Sequence, residues 1–189
     1  NNTPIFRMLL TIPGVDNFIN TQHPSKETSL TIAARKGYTE IVKVLLEHTA
    51  IDVNAPNEAG ETALICAARE GHTETAVALL AHPHIDPNAF TMGYKDTALM
   101  WAARNNHTST FLHLLAHPSV DATITNKDGQ TALDLATTDE LALLLRVYNK
   151  RSPSESEEPV AAESRVTLDK KRRSHADVTY PQANVMLVK

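Results

Sequence analysis

The chain contains one sequence unit that recurs at nearly constant spacing. Residues 27–48, 61–82 and 96–117 read ETSLTIAARKGYTEIVKVLLEH, ETALICAAREGHTETAVALLAH and DTALMWAARNNHTSTFLHLLAH. With a fourth, shorter unit included, intervals of 34, 35 and 34 residues separate the threonines Thr28, Thr62, Thr97 and Thr131. A repeat of this period is typical of a stacked array in which each unit buries its apolar side against the next.

Each unit is predicted to form two antiparallel helices followed by a loop. The anchoring threonines can cap the first helix, because a hydroxyl there accepts a bond from a free backbone N–H. Left-handed C-caps are expected at Gly37, Gly71 and Asn106, and second N-caps at Thr39, Thr73 and Thr108. Alanine pairs in the first helix and leucine pairs in the second supply the buried sides.

With these residues, the chain resembles an ankyrin-repeat protein. The resemblance is carried by the run T-x-L-x-x-A-A-R-x-G-H and the loop IDVNA, and it covers roughly residues 3–148. It implies an all-α ankyrin solenoid of about four and a half repeats. The Pro and His of the family's T-P-L-H are missing from every unit, so that part of its hydrogen-bond network is not expected.

The repeat pattern also predicts the domain organisation. The segment 3–10 aligns with 39–46, so the chain is expected to open on the second helix of a unit, whose apolar surface is then exposed or covered by something else. The last unit is shortened between its helices, as in a terminating cap. The predicted boundaries are a partial N-terminal repeat (1–26), three repeats (27–60, 61–95, 96–129), a capping repeat (130–150) and a charged tail (151–189).

Catalytic and metal sites are not indicated. When the repeats are aligned, Cys66 falls in the same column as Ile32, Trp101 and Leu135. These are large apolar residues, so a buried, inert thiol is predicted. His72 shares a column with Tyr38 and His107, where the resemblance implies that a histidine braces the turn. No Cys/His set has zinc spacing, and no phosphate-binding loop is present, so no enzyme activity and no cofactor are predicted.

The resemblance implies that binding of another protein occurs on the concave face. Carried over by alignment, the contact residues are Arg35, Lys36, Glu58, Glu61, Arg69, Glu70, Tyr94, Asp96, Arg104, Asn105, Lys127 and Asp128. Three of them, the arginines, recur at one helical position, about 10 Å apart if the helices pack normally. These arginines either present a row of guanidinium groups to acidic groups of a partner or brace neighbouring units. Tyr94 is either an aromatic anchor or a solitary exposed side chain.

The partner's identity is not encoded, but some partner classes are disfavoured. A net charge of −4 argues against nucleic acid, no apolar run could span a membrane, and the chain is taken as a monomer. The alternatives are a targeting module of a longer multidomain enzyme or of a secreted bacterial effector, and a nuclear regulator. The location is accordingly predicted as the cytoplasm, the nucleus, or the host cytosol for an effector.

Two features outside the helices bear on these alternatives. The tail carries Lys170, Lys171, Arg172 and Arg173, which are compatible with nuclear import, with an anionic contact or with a solvated charge run. The resemblance also implies substrates for an asparaginyl hydroxylase that recognises a leucine six residues before Asp-Val-Asn. Asn54 matches this pattern, and Asn88 matches it less well because a proline precedes it.

Overall fold

The computed structural model describes residues 3–17, 19–22 and 26–136 of the chain. These residues contain seven α-helices: α1 (Thr3–Leu10), α2 (Ser29–Arg35), α3 (Thr39–Leu46), α4 (Ala63–Glu70), α5 (Thr73–Leu80), α6 (Ala98–Arg104) and α7 (Thr108–Leu115). One 3₁₀ turn spans Val15–Asn17, and a single β-bridge joins Phe90 to Thr97. The described residues contain no β-strand, and the prediction of an all-α solenoid is confirmed.

The helices form two stacked rows. The inner row is α2, α4 and α6, and the outer row is α1, α3, α5 and α7, each helix packing on the next of its row. Buried alanines such as Ala34, Ala68 and Ala103 have no exposed surface, which allows close approach of the inner helices. Leu45, Leu79 and Leu114 fill the space between the rows. None of the helices in these ranges has the length and apolarity that crossing a bilayer requires.

The inner helices begin where the sequence predicts. The Thr28 hydroxyl accepts a hydrogen bond from Thr31 N at 3.1 Å, and the Thr31 hydroxyl accepts one from Thr28 N at 2.9 Å. Thr62 and Thr97 also cap their helices, each accepting from a backbone N–H three residues later. These caps satisfy backbone donors that the first helical turn leaves free.

The predicted caps of the outer helices are wrong by one residue. The capping positions are Tyr38, His72 and His107, and their side chains make no capping bond. Two of the threonine hydroxyls serve another purpose: Thr39 bonds Thr75, and Thr73 bonds Thr110, each at 2.8 Å between adjacent repeats. The hydroxyls are therefore used for stacking, which a local capping rule does not take into account.

The glycine turns between the two rows are confirmed. Gly37 has φ of +68° and Gly71 of +75°, and Asn106 takes the same left-handed conformation at +57°. A Cβ on Gly71 would lie 2.6 Å from Nδ1 of His107. The two glycines therefore also make room for the imidazole of the following repeat.

The two ends of the described region differ from the middle. Met8 and Leu9 of α1 are 72% and 48% exposed, whereas Val44 and Leu45, their counterparts in α3, are buried. The apolar surface of the first helix is thus exposed, which is one of the two alternatives that the sequence left open. At the other end, Thr131 and Asp134 bond each other reciprocally in a single turn, and the described residues 131–136 contain no helix. The rest of the predicted capping repeat lies outside the described residues.

Candidate functional site

Three hairpin loops project from the helix stack, and we call their tips finger A (56–61), finger B (90–96) and finger C (125–130). Each tip is closed by a backbone bond, for example from Asn57 N to Glu61 O at 2.9 Å in finger A. Neighbouring tips are joined as well: Met92 N donates to Ala59 O at 3.0 Å, and Lys127 N donates to Tyr94 O at 2.7 Å. The fingers therefore form one hydrogen-bonded edge with a fixed register.

Behind the fingers, asparagine side chains link the repeats in a ladder. The Asn54 amide nitrogen donates to His84 O at 2.7 Å, and its oxygen accepts from Asp86 N at 2.9 Å. Asn88 makes the same pair of bonds to Ser119 and Asp121, and Asn20 makes it to Ala50 and Asp52. The amide groups of both predicted hydroxylation residues are thus occupied in stacking the loops, and the modification itself stays a prediction.

The ladder ends at Thr123, which occupies the position of the next asparagine. Its backbone N–H and hydroxyl both donate to the Asp121 carboxylate, at 2.8 and 2.6 Å. The hydroxyl bond and then the backbone bond lower the pKa of Asp121. The turn of the loop is therefore kept, but Thr123 has no side-chain amide with which to bond a following loop.

The three arginines of the repeated column are paired inside their own repeats. Arg35 donates to both carboxylate oxygens of Glu27, at 2.9 and 2.6 Å, and Arg104 donates to Asp96 at 3.1 Å. Arg69 forms an ion pair with Glu61 and another with Glu70. Each inner helix therefore has the arginine at its end tied to an acidic residue just before its start. The ion pairs therefore brace each inner helix within its own repeat, whereas the alternative considered from the sequence was bracing between neighbouring units. The guanidinium charges of all three arginines are neutralised by these carboxylates.

Glu61 and Asp96 were expected on the accessible face, and this expectation is wrong. They are only 7% and 1% exposed. Besides its arginine, each accepts a hydrogen bond from an asparagine side chain, from Asn57 in one case and Asn126 in the other, both at 2.9 Å. Hydrogen bonds that satisfy the carboxylate offset the cost of burying it, so both residues are structural.

Trp101 lies between two of these arginines. The guanidinium carbons of Arg69 and Arg104 are each 5.9 Å from its ring centroid. The side chain is half-buried, so it is not the fully buried core residue that its column predicts. Cation–π contacts of this kind further restrict the arginines. Cys66 at the same repeat position is fully buried, as predicted, and burial raises the pKa of its thiol to about 12.

The histidine column also has the predicted structural role. His72 Nε2 donates to Arg35 O at 3.1 Å, and His107 Nε2 donates to Arg69 O at 3.0 Å. Each imidazole therefore braces the turn of the preceding repeat. No group of three or more His, Cys, Asp or Glu side chains in the described ranges could hold a metal ion.

Large apolar side chains are concentrated on finger B. Phe90, Met92 and Tyr94 are 52%, 72% and 61% exposed, while Thr91 between them is buried and accepts a bond from Asp96 N. Pro56 and Thr125 stand at the position of Phe90 in fingers A and C. Exposed apolar clusters of this kind are typical of interaction sites, whereas single exposed residues are ordinary. We call these three side chains the finger-B cluster.

The sequence interpretation found Tyr94 and missed the other two members of this cluster. The available signal was the alternation F-T-M-G-Y in a loop, with apolar residues at every second position, where the other units have P-N-E-A-G and T-N-K-D-G. Six more of the predicted contact residues are exposed, and two of them, Lys127 and Asp128, lie in the adjacent finger C: Lys36, Glu58, Glu70, Asn105, Lys127 and Asp128. Asn105 also donates to Arg69 O at 2.8 Å. The tail cluster at 170–173 lies outside the described residues.

Comparison with known families agrees with this architecture. A family model for ankyrin repeats in three copies matches residues 1–91, and a model for a single ankyrin repeat matches residues 94–127. A search of the curated proteins returned no match. The matches span the helix pairs, finger A, finger B except residues 92 and 93, and the first part of finger C.

Proposed function

Because the chain belongs to the ankyrin-repeat family, whose repeats generally serve as protein–protein interaction modules and are typically non-enzymatic, we propose that it is a protein-binding scaffold with finger B as its anchor. The observation that carries this proposal is the finger-B cluster. Aromatic and methionine side chains are enriched where proteins bind one another, because they bury large apolar areas.

The rigidity of the fingers supports the same proposal. Finger B is bonded to finger A through Met92 N and to finger C through Tyr94 O. A loop held on both sides loses less conformational entropy on binding than a free loop would. The exposed side chains are therefore presented by a largely preformed backbone.

The arginine row is a weaker candidate for the anchor. Its charges already have carboxylate partners within the chain, and two of those carboxylates are buried. A partner that engaged these arginines would have to compete with formed ion pairs. The proposal therefore assigns the arginines to the scaffold and the contact to finger B with its exposed surroundings.

Affinity capture with matched variants tests the proposal. The finger variant carries Phe90→Ala, Met92→Ala and Tyr94→Ala, and the control carries Val77→Ala and Leu112→Ala, which remove exposed apolar groups from the outer helices. We expect both variants to melt like the wild type. The finger variant should lose the specific prey while the control retains it. A prey that binds all three proteins equally would contradict the proposal.

A further inference from the structure

Most cationic side chains in the described part of the chain have a carboxylate partner. The pairs are Arg7–Glu47, Lys26–Glu58, Arg35–Glu27, Lys43–Glu40, Arg69–Glu61 and Arg104–Asp96. Within the same ranges, Lys36, Lys95 and Lys127 have none within 4.0 Å. Two of these three flank the finger-B cluster, since Lys95 follows Tyr94 in sequence and Lys127 donates its backbone N–H to Tyr94 O.

Lys95 is held in an unusual backbone conformation. Its φ is +59°, and the same position in fingers A and C is glycine, Gly60 at +78° and Gly129 at +75°. A side chain in this left-handed region is disfavoured relative to glycine. Lys26 shares the conformation at +59°, but its ammonium pairs with Glu58. Lys95 has no such pair, and its Nζ lies 5.7 Å from the Phe90 ring centroid.

A strained residue is informative where the fold alone does not need its side chain. Glycine at this position closes fingers A and C, so finger B does not require a lysine to form its turn. What the lysine adds is a positive charge beside an exposed aromatic ring. That charge lacks a carboxylate partner in the described chain.

Resting on the proposed function, we propose that the partner of finger B presents a large apolar side chain next to Asp or Glu residues. The apolar side chain packs on the finger-B cluster, and the carboxylates bind Lys95 and Lys127. The exposed acidic residues of the three fingers are Asp128, which follows Lys127 in sequence, and Glu58, which is already paired with Lys26. The lysines therefore leave the surroundings of the cluster positive, which suits an acidic segment.

Selection of short random peptides displayed on phage, with the full chain as bait, tests this inference. We expect the enriched peptides to place Asp or Glu beside a Trp, Phe, Leu or Met. Their affinity should fall at least about tenfold for the finger variant, since anchor residues carry most of the affinity. For Lys95→Gly combined with Lys127→Ala, it should fall roughly three- to tenfold and become less sensitive to salt.

The lysine variant is chosen so that the fold is kept. Lys95→Gly restores the residue found in fingers A and C, and Lys127→Ala changes an exposed side chain. Lys36→Ala removes the third lysine without a carboxylate partner, away from finger B, and should leave peptide affinity unchanged. Equal losses for this control and for the lysine variant would show a nonspecific charge effect and overturn the inference.

The remaining outcomes separate this inference from the proposed function. Peptides that require the finger-B cluster but show no acidic preference would overturn the inference and leave the protein-binding role intact. Failure to enrich any peptide, or peptides that bind the finger variant normally, would count against both. A dimer in sedimentation that the finger variant abolishes would make a second copy of this chain the occupant, and would also overturn the acidic-partner inference.

Discussion

The buried carboxylate of Asp96 provides a quantitative test of the bracing role. It accepts a hydrogen bond from Arg104 at 3.1 Å and another from Asn126 at 2.9 Å, and it is 1% exposed. Asp96→Ala removes both bonds at once. It leaves the Asn126 amide with a weak contact to Gln130 at 3.4 Å.

The expected loss follows from these contacts. A lost bond between neutral groups costs about 1 kcal/mol, and one involving a charge costs about 1.5–3 kcal/mol. The Arg104 side chain is 38% exposed, so water replaces part of its lost partner and the charged contribution is reduced. We therefore expect Asp96→Ala to lower the free energy of unfolding by about 2–3 kcal/mol.

Glu27→Ala is the matched control, since Glu27 holds the corresponding place in the first complete repeat. The Glu27 carboxylate is more exposed than that of Asp96, 17% against 1%, so its loss should cost only about 1 kcal/mol. Urea unfolding followed by circular dichroism and by the fluorescence of Trp101, the only tryptophan, measures both variants. A loss below about 0.5 kcal/mol for Asp96→Ala, or one no larger than that of Glu27→Ala, would refute the bracing argument.

Other features of the scaffold lead to predictions of the same kind. Gly71→Ala should destabilise the protein by about 2–3 kcal/mol, because the added methyl group clashes with His107 and the left-handed backbone is strained. Gly129→Ala, with φ of +75° and open space around it, should cost about 1 kcal/mol. Equal costs in thermal unfolding would contradict the role of the imidazole. Asn54→Ala should cost about 1–2 kcal/mol in urea unfolding, because two hydrogen bonds between repeats are lost; an unchanged midpoint would show that the ladder is not stabilising. The buried Cys66 thiol, with a pKa of about 12, should react with a thiol reagent at pH 8 only after urea unfolds the protein, and rapid reaction of the native protein would contradict its burial.

Features that depend on neighbouring residues in the sequence were predictable. The inner-helix caps and the left-handed turns follow from local hydrogen bonding and backbone sterics, and Thr62 and Gly71 lie where these rules require. The repeat period then determines how the units stack. This part of the fold could be predicted from one sequence because the same capping and turn residues recur in each repeat.

Features that depend on the neighbouring repeat were not predictable in this way. The hydroxyl of Thr73 could bond either a backbone N–H of its own helix or a side chain of the next repeat. Only the packed structure shows that it bonds Thr110. Glu61 is a charged residue in a loop, which predicts exposure, and its burial depends on Asn57 and Arg69 meeting it in space. Finger B was predictable in part, since the alternation of apolar residues was visible but its exposure was not.

Site-specific photocrosslinking is the most direct test of finger B as the binding site. A photoreactive amino acid replaces Met92 in one version of the chain and Leu112, on the outer helix α7, in the other; both positions are exposed. If finger B is the anchor, irradiation in lysate should couple the captured prey to the chain through position 92 and not through position 112. Coupling through position 112 alone would place the partner on the outer helices and contradict the proposed function.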